Sequence, residues 1–327
     1  MLNYIARRLL YAIPILFIIA VVSFILIELP PGDFLTSYVI SLKQSGEMID
    51  QAALEALNKQ YGLDKPLHIR FFVWLKGLFK GDFGYSFMWR RPVSELLGQR
   101  LGFTVLISIL SLIFSWIFGF LIGIYSSTRQ YSFGDYAFTV LGYIGLATPN
   151  FLLALILLWF IFSSFGVNLG GLFSPEYAQV PWSFTKFIDL LKHIWIPIVV
   201  IGTGSMAGLI RILRANLLDE ISKPYVLAAR ARGVPEKKLY WKYPLRIALI
   251  PFVSTAGWEL PGIVSGAVVT AIVLNIPTVG TLLLDALTSQ DMYLAGSLIL
   301  FLSVFTIIGT LISDILLAWL DPRIRYE

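Results

Sequence analysis

The stretch LGFTVLISILSLIFSWIFGFLIGIY, residues 101–125, carries no charged side chain. As a helix rising about 1.5 Å per residue it is long enough to cross a bilayer core of about 30 Å, which takes roughly 20 apolar residues. It therefore reads as a transmembrane helix. Five further stretches pass the same test: 9–27, 136–162, 194–210, 247–274 and 293–320. The uncharged run that begins at Tyr136 continues to Pro175, too long for one helix. The span is expected to end near Phe162, with 166–175 and its glycines as an apolar outer loop. Arg7 and Arg8 precede the first span as they would in a secretory signal. Glu28-Leu29-Pro30-Pro31 offers no small-residue cleavage site, so that span reads as a retained helix. The expected fold is all-α, a polytopic membrane bundle of six transmembrane helices.

Composition agrees. The chain has 327 residues, 57% hydrophobic and 14% charged, where a soluble domain carries about 25% charged residues. Cysteine is absent and histidine occurs twice, which excludes disulfides, thiol nucleophiles and the usual Cys/His zinc clusters. A net charge of +5 with a pI near 9.3 fits basic cytoplasmic loops better than a nucleic-acid partner. With the N-terminus inside, the inner segments hold Arg7, Arg8 and Arg129, then a cluster from Arg211 to Arg246, then Arg323 and Arg325, whereas short outer loops hold only Lys186 and Lys192. Both termini are thus expected in the cytoplasm and 29–100 outside. Within that outer segment, helices are predicted over 50–61, with Gly62 as a stop, and over 67–79. The second, too short to span, suits the membrane surface or packing on the outer ends of the spans. A short amphipathic stretch, 93–101, leads into the second span.

Chemistry is sparse. No GxSxG, HExxH or G-x-x-x-x-G-K-[ST] pattern occurs, so neither hydrolysis nor nucleotide turnover is expected of this chain itself. Two ionisable residues fall inside spans: Glu259, a candidate for the translocation pathway, and Asp314 near the inner end of the last span. Gly119 with Gly123, Gly204 with Gly208, and Gly262 with Gly266 have GxxxG spacing and read as packing faces. Pro149, Pro197, Pro251 and Pro261 should kink or interrupt their helices.

The loop 215–246 between the fourth and fifth spans is the most informative part of the chain. A helix-compatible stretch, Pro224-Tyr225-Val226-Leu227-Ala228-Ala229-Arg230-Ala231-Arg232, is followed by a glycine stop at Gly233 and a second amphipathic stretch to Leu245. Charge alone would suit anionic lipid. The small residues beside Gly233 favour docking of another protein, because lipid attraction does not require a small-residue surface.

This loop resembles the E-A-A-x-x-x-G-x9-I-x-L-P coupling motif of ABC importer permeases. Ala228, Ala229, Gly233 and Leu245 match at the right spacing, while Leu227 stands for the Glu, Tyr243 for the Ile and Arg246 for the Pro. Further stretches resemble the oligopeptide/dipeptide subgroup, first permease subunit: Pro31-Gly32-Asp33, Tyr61-Gly62-Leu63-Asp64-Lys65-Pro66, Gly81-Asp82-Phe83-Gly84-Tyr85-Ser86, Pro92-Val93 with Glu95, Arg211 with Arg214, and Asp321-Pro322-Arg323. The resemblance implies the type I ABC importer permease (MetI-like) fold with an extracytoplasmic insertion after the first helix, so that 1–100 comprises that helix and insertion and 101–327 a five-helix core. It also implies coupling to an ATPase through Leu227, Ala228, Ala229, Arg230, Gly233 and Leu245. The implied partners are a second homologous permease, two ATP-binding cassette subunits that bind ATP and Mg, an extracytoplasmic substrate-binding protein and membrane lipid, with no nucleic acid and no cofactor or metal in this chain. The location implied is a bacterial or archaeal inner membrane. The expected role is a non-enzymatic half-pathway for oligopeptides or dipeptides. Short oligosaccharides or nickel are alternatives, since Ala271 stands where many peptide-transporting relatives have Glu and the following turn reads Pro277-Thr278-Val279-Gly280. A stand-alone ion-coupled carrier is the rival of another class, yet internal repeats and several intramembrane charges are not evident.

Overall fold

The computed structural model describes residues 2–28, 55, 59, 65–86, 88–255, 259, 262–263, 267–289 and 291–320. The expected helix over 50–61, the Pro31-Gly32-Asp33 and Asp321-Pro322-Arg323 motifs, Pro261 and Gly266 lie largely or wholly outside them. The elements are α1 Leu2–Glu28, α2 Leu67–Phe79, β1 Tyr85–Ser86, β2 Arg91–Pro92, α3 Val93–Thr128, α4 Phe133–Ala147, α5 Asn150–Phe165, α6 Phe184–Ile221, α7 Pro224–Ala231, α8 Glu236–Lys242, α9 Pro244–Ser254, α10 Val268–Val273, α11 Val279–Thr288 and α12 Met292–Leu320. The expected helical membrane bundle is what forms. The two strands make only a short antiparallel ribbon, Tyr85 opposite Pro92.

Among the described residues four helices are long and apolar enough to cross a membrane, and a fifth span arises if α4 and α5 count as one. The continuous helix expected over 136–162 is broken: α4 and α5 meet at 106°. Pro149 lacks a backbone donor, and its ring pushes Thr148 out of the helical region to φ −88°, ψ 120°. The fifth stretch, 247–274, is described as α9 and α10, with part of the intervening chain outside the described residues. Lys186 and Lys192, expected in an outer loop, are helical because α6 already begins at Phe184. At 38 residues, α6 measures about 57 Å, well beyond the bilayer core.

The chain divides into two compact units. One comprises 1–6, 104–277 and 306–327, and α6 is its central element. Leu209, Leu213 and Leu217 of α6 form a core with Leu245, Ala248, Phe252 and Val253 of α9, against which Trp116, Phe120 and Ile124 of α3 pack. The Gly119/Gly123 pair makes this close approach possible. A Cβ on Gly119 would lie 2.8 Å from Leu209 Cβ, and one on Gly123 3.0 Å from Leu213 Cβ. That GxxxG pattern is therefore a packing face within the chain. At the second pattern, a Cβ on Gly204 would meet Asn150 at 2.8 Å, whereas Gly208 faces open space. We expect Gly119→Ala to destabilise the bundle by about 1–3 kcal/mol, as overpacking does, and Gly119→Leu to prevent assembly. The melting temperature and yield of the purified subunit check this; a Gly119→Leu chain as stable as wild type would show that α3 and α6 do not touch there.

The start of α6 is held by buried polar groups. The Asp189 carboxylate accepts from Ser174 N at 2.7 Å and Ser174 Oγ at 2.8 Å, and Lys186 Nζ donates to Val180 O at 2.6 Å. These bonds fasten the 166–183 connection, which includes the apolar loop expected over 166–175, to the helix.

The second unit comprises 7–103 and 278–305. Helix α2 has the bounds expected from sequence. Its Phe71 and Trp74 pack on Ala20 and Phe24 of α1, so this face packs on the first span, while Phe72 and Phe79 stay exposed. The Gly81-Asp82-Phe83-Gly84-Tyr85-Ser86 motif forms a turn with Gly81 at φ 77° and Gly84 at φ 85°. Ser86 Oγ donates to Asp291 Oδ2 at 2.6 Å, and Asp291 Oδ1 accepts from Leu294 N in the first turn of α12. Gly84 lies against the Tyr293 ring, where a Cβ would come within 3.1 Å. Gly84 and Ser86 of the motif thus make a close dock onto the start of α12.

Candidate functional site

Helix α7 starts with Pro224 at its first position, where the missing donor costs nothing. It ends in a Schellman motif: Gly233 N donates to Arg230 O at 2.9 Å and Val234 N to Ala229 O at 3.3 Å. Gly233 has φ 76°, a left-handed conformation that glycine adopts without a Cβ penalty. Pro235 then opens α8. Across this turn Arg230 Nε donates to Glu236 Oε1 at 2.6 Å and Arg230 Nη2 to Oε2 at 3.2 Å. The Arg230 hydrogen bond, joined by one from Tyr240, holds the Glu236 carboxyl below its ordinary value. A depressed carboxyl contributes stability above its unfolded value and loses it as pH falls through the folded one, so the clasp is closed at neutral pH. Before the turn, Tyr225 Oη donates to Glu220 Oε2 at 2.6 Å. Burial first and Glu220 second push that phenol up, and it stays a donor.

The structure sorts the sequence-derived coupling residues into two groups. Leu227, Ala228 and Gly233 are exposed, and Ala229 and Arg230 are half-buried. No atom lies within 4 Å of where a Gly233 Cβ would be. Leu245 is different: it is buried in the α6/α9 core and anchors the element from below, as do Val226 and Leu239. The result is a short helix, a tight turn and a second short helix, seated on buried leucines and presenting small residues outward.

Glu259 is half-buried and accepts a hydrogen bond from Trp116 Nε1 of α3 at 3.3 Å. Trp116 in turn packs on Phe252, with ring centroids 5.5 Å apart. Sequence reasoning found the acid and missed this donor, because a neutral indole 143 residues away leaves no charge pattern. Asp314 is half-buried on α12. A second pair was also missed: Arg214 Nε and Nη2 donate to Asp135 Oδ1 and Oδ2 at 3.1 and 2.9 Å. The visible signal was local only, Ser132 three residues ahead of Asp135 at the start of α4, where the serine accepts from Asp135 N.

We expect Glu259→Gln to preserve assembly and to change uptake several-fold or alter cargo choice, since shape is kept and charge removed. Trp116→Phe removes a donor to the carboxylate but keeps the charge, so it should change uptake less than Glu259→Gln does. Transport by the glutamine variant equal to wild type at every pH tested would make Glu259 a tolerated structural residue.

The described fold is a helix bundle with several helices long and apolar enough to cross a membrane and an exposed helix-turn-helix at the end of its long central helix. Residues 119–326 match the family described as binding-protein-dependent transport system inner membrane component, and residues 1–108 match its N-terminal counterpart. The oligopeptide transport system permease protein AppB of Bacillus subtilis is 36% identical over the full length of both chains. The glutathione transport system permease protein GsiC of Salmonella choleraesuis is 33% identical, again over the full length of both, and a putative peptide permease protein of Brucella ovis is 33% identical over 99% of each. The chain belongs to the binding-protein-dependent inner membrane component family: it is a multi-pass permease subunit of an ATP-driven ABC importer.

Proposed function

We propose that the chain forms half of the translocation pathway of an importer for oligopeptides or dipeptides. The carrying observation is the full-length similarity to permeases named for oligopeptide, peptide and glutathione transport, which favours peptide cargo over oligosaccharides, nickel or an ion-coupled carrier. In this reading a second homologous permease supplies the other half of the path, two ATP-binding cassette subunits bind ATP and Mg, and a binding protein delivers cargo from outside. Residues 1–100 hold the first helix and the outer insertion, and 101–327 the core. The turn at Ala228 to Gly233 enters a groove of an ATPase subunit, with Leu227 and Arg230 flanking it. Leu245 holds the element to the core, and Glu259 lines the path.

The ligand retained by the partner binding protein tests the cargo: peptide supports the reading, and a sugar or a nickel chelate replaces it. Orientation is tested separately. With both termini cytoplasmic, a cysteine at Lys59→Cys should react with an impermeant thiol reagent in intact cells, and one at Lys237→Cys only in inverted vesicles. The native chain has no cysteine, so the background is clean. The reverse pattern overturns the topology.

A further inference from the structure

Between α4 and α6 lies a cavity of about 210 Å³. The two helices approach closely along one side, where Gly142 faces Ala207 and the Thr203 methyl fills the space beside Gly145. Tyr136, Tyr143 and Leu146 line the cavity from α4, and Ala207 and Ile210 from α6. Its charged end holds three groups. Asp135 and Arg214 pair with each other through two hydrogen bonds and cancel. Arg211 lines the same cavity, is exposed, and has no hydrogen-bond or ion-pair partner among the described residues. The cavity therefore presents one uncompensated guanidinium beside aromatic and aliphatic walls.

Depth follows from sequence. The uncharged run of α6 ends at Arg211, and the uncharged run of α4 begins right after Asp135. Both helices thus place the charged end where apolar sequence gives way to charge, the level of lipid head groups, and the walls within the hydrocarbon. A guanidinium is weakly hydrated and matches phosphate oxygens through two parallel donors. Tyrosine has an apolar body and a polar tip suited to the same level. An occupant complementary to both halves is an amphiphile with an anionic phosphate and an acyl chain; a soluble phosphate would leave the apolar walls uncovered.

We propose that this cavity holds one anionic phospholipid, its phosphate on Arg211 and the upper part of one chain against Tyr143 and Leu146. The site rests on the membrane setting of the chain and not on the cargo or the coupling turn. The test is native mass spectrometry of the assembled importer in detergent, supplied with phosphatidylglycerol or phosphatidylcholine. Wild type should retain one phosphatidylglycerol at this subunit. Arg211→Gln should retain about fivefold less, the size of one basic residue's attraction for an anionic lipid. Arg211→Lys should keep part of the difference, and Tyr143→Ala should weaken retention with the charge intact. Equal retention by wild type and Arg211→Gln overturns the site. So does retention of phosphatidylcholine as strong as phosphatidylglycerol, displacement by inorganic phosphate, or a Tyr143→Cys cross-link to the second permease in native membranes, which would make the occupant a protein. Uptake assays are not used, so failure here leaves the transport reading intact.

Discussion

Gly233→Leu is expected to lower cargo uptake about tenfold or more while leaving the membrane bundle folded. Two costs combine. Gly233 sits at φ 76°, where an ordinary L-residue loses about 1–2 kcal/mol, and tenfold corresponds to about 1.4 kcal/mol. The second cost arises only in the complex: a Cβ here meets nothing within 4 Å in this chain, so added bulk is expected to be felt where a partner comes close to the backbone. Gly233→Asn separates the two, because asparagine tolerates the left-handed region and still adds bulk. Asparagine should therefore keep the turn and reduce association with the ATPase. The measurement is uptake into proteoliposomes together with co-purification of the ATPase subunits. Normal uptake and association in the leucine variant would remove the turn from the coupling path.

The bounds of α2 and the Gly119/Gly123 face were legible in sequence, because each is a local pattern that carries its own physical cause. The start and stop of α7 were legible in the same way, from Pro224 and Gly233. The contacts of the site were not. Trp116 meets Glu259, Asp135 meets Arg214 and Ser86 meets Asp291 across separations of 143, 79 and 205 residues, and no periodicity encodes such pairings. A second obstacle is particular to membranes. Lipid and protein core are equally apolar, so hydropathy does not tell a buried face from a lipid-facing one. On α5, Ala154 and Ile161 are buried while Trp159 and Phe160 are exposed, yet all four lie in one unbroken apolar run. The bend at Pro149 was half-legible: proline announced an interruption, and its size depended on how α4 and α5 each pack on α6.

The pair Asp135 and Arg214 should respond unequally to loss of either member. The aspartate side chain is 3% exposed and the arginine 29% exposed. Arg214→Leu strands a carboxylate that water barely reaches, and breaking a buried pair in this way costs about 3–5 kcal/mol. Asp135→Asn leaves a guanidinium with access to solvent and an amide still able to accept from Tyr131 N, the bond the carboxylate makes at 3.0 Å. Its cost should stay near the loss of a charged hydrogen bond, about 1.5–3 kcal/mol. The double replacement Asp135→Leu with Arg214→Leu should recover much of the arginine variant's loss, because removing both charges also removes the desolvation that their pairing offsets. Thermal unfolding of the assembled importer measures all three. If Arg214→Leu is no worse than Asp135→Asn, or if the double variant is no better than Arg214→Leu, the two ends of this pair are equally solvated and it does not fasten α4 to α6.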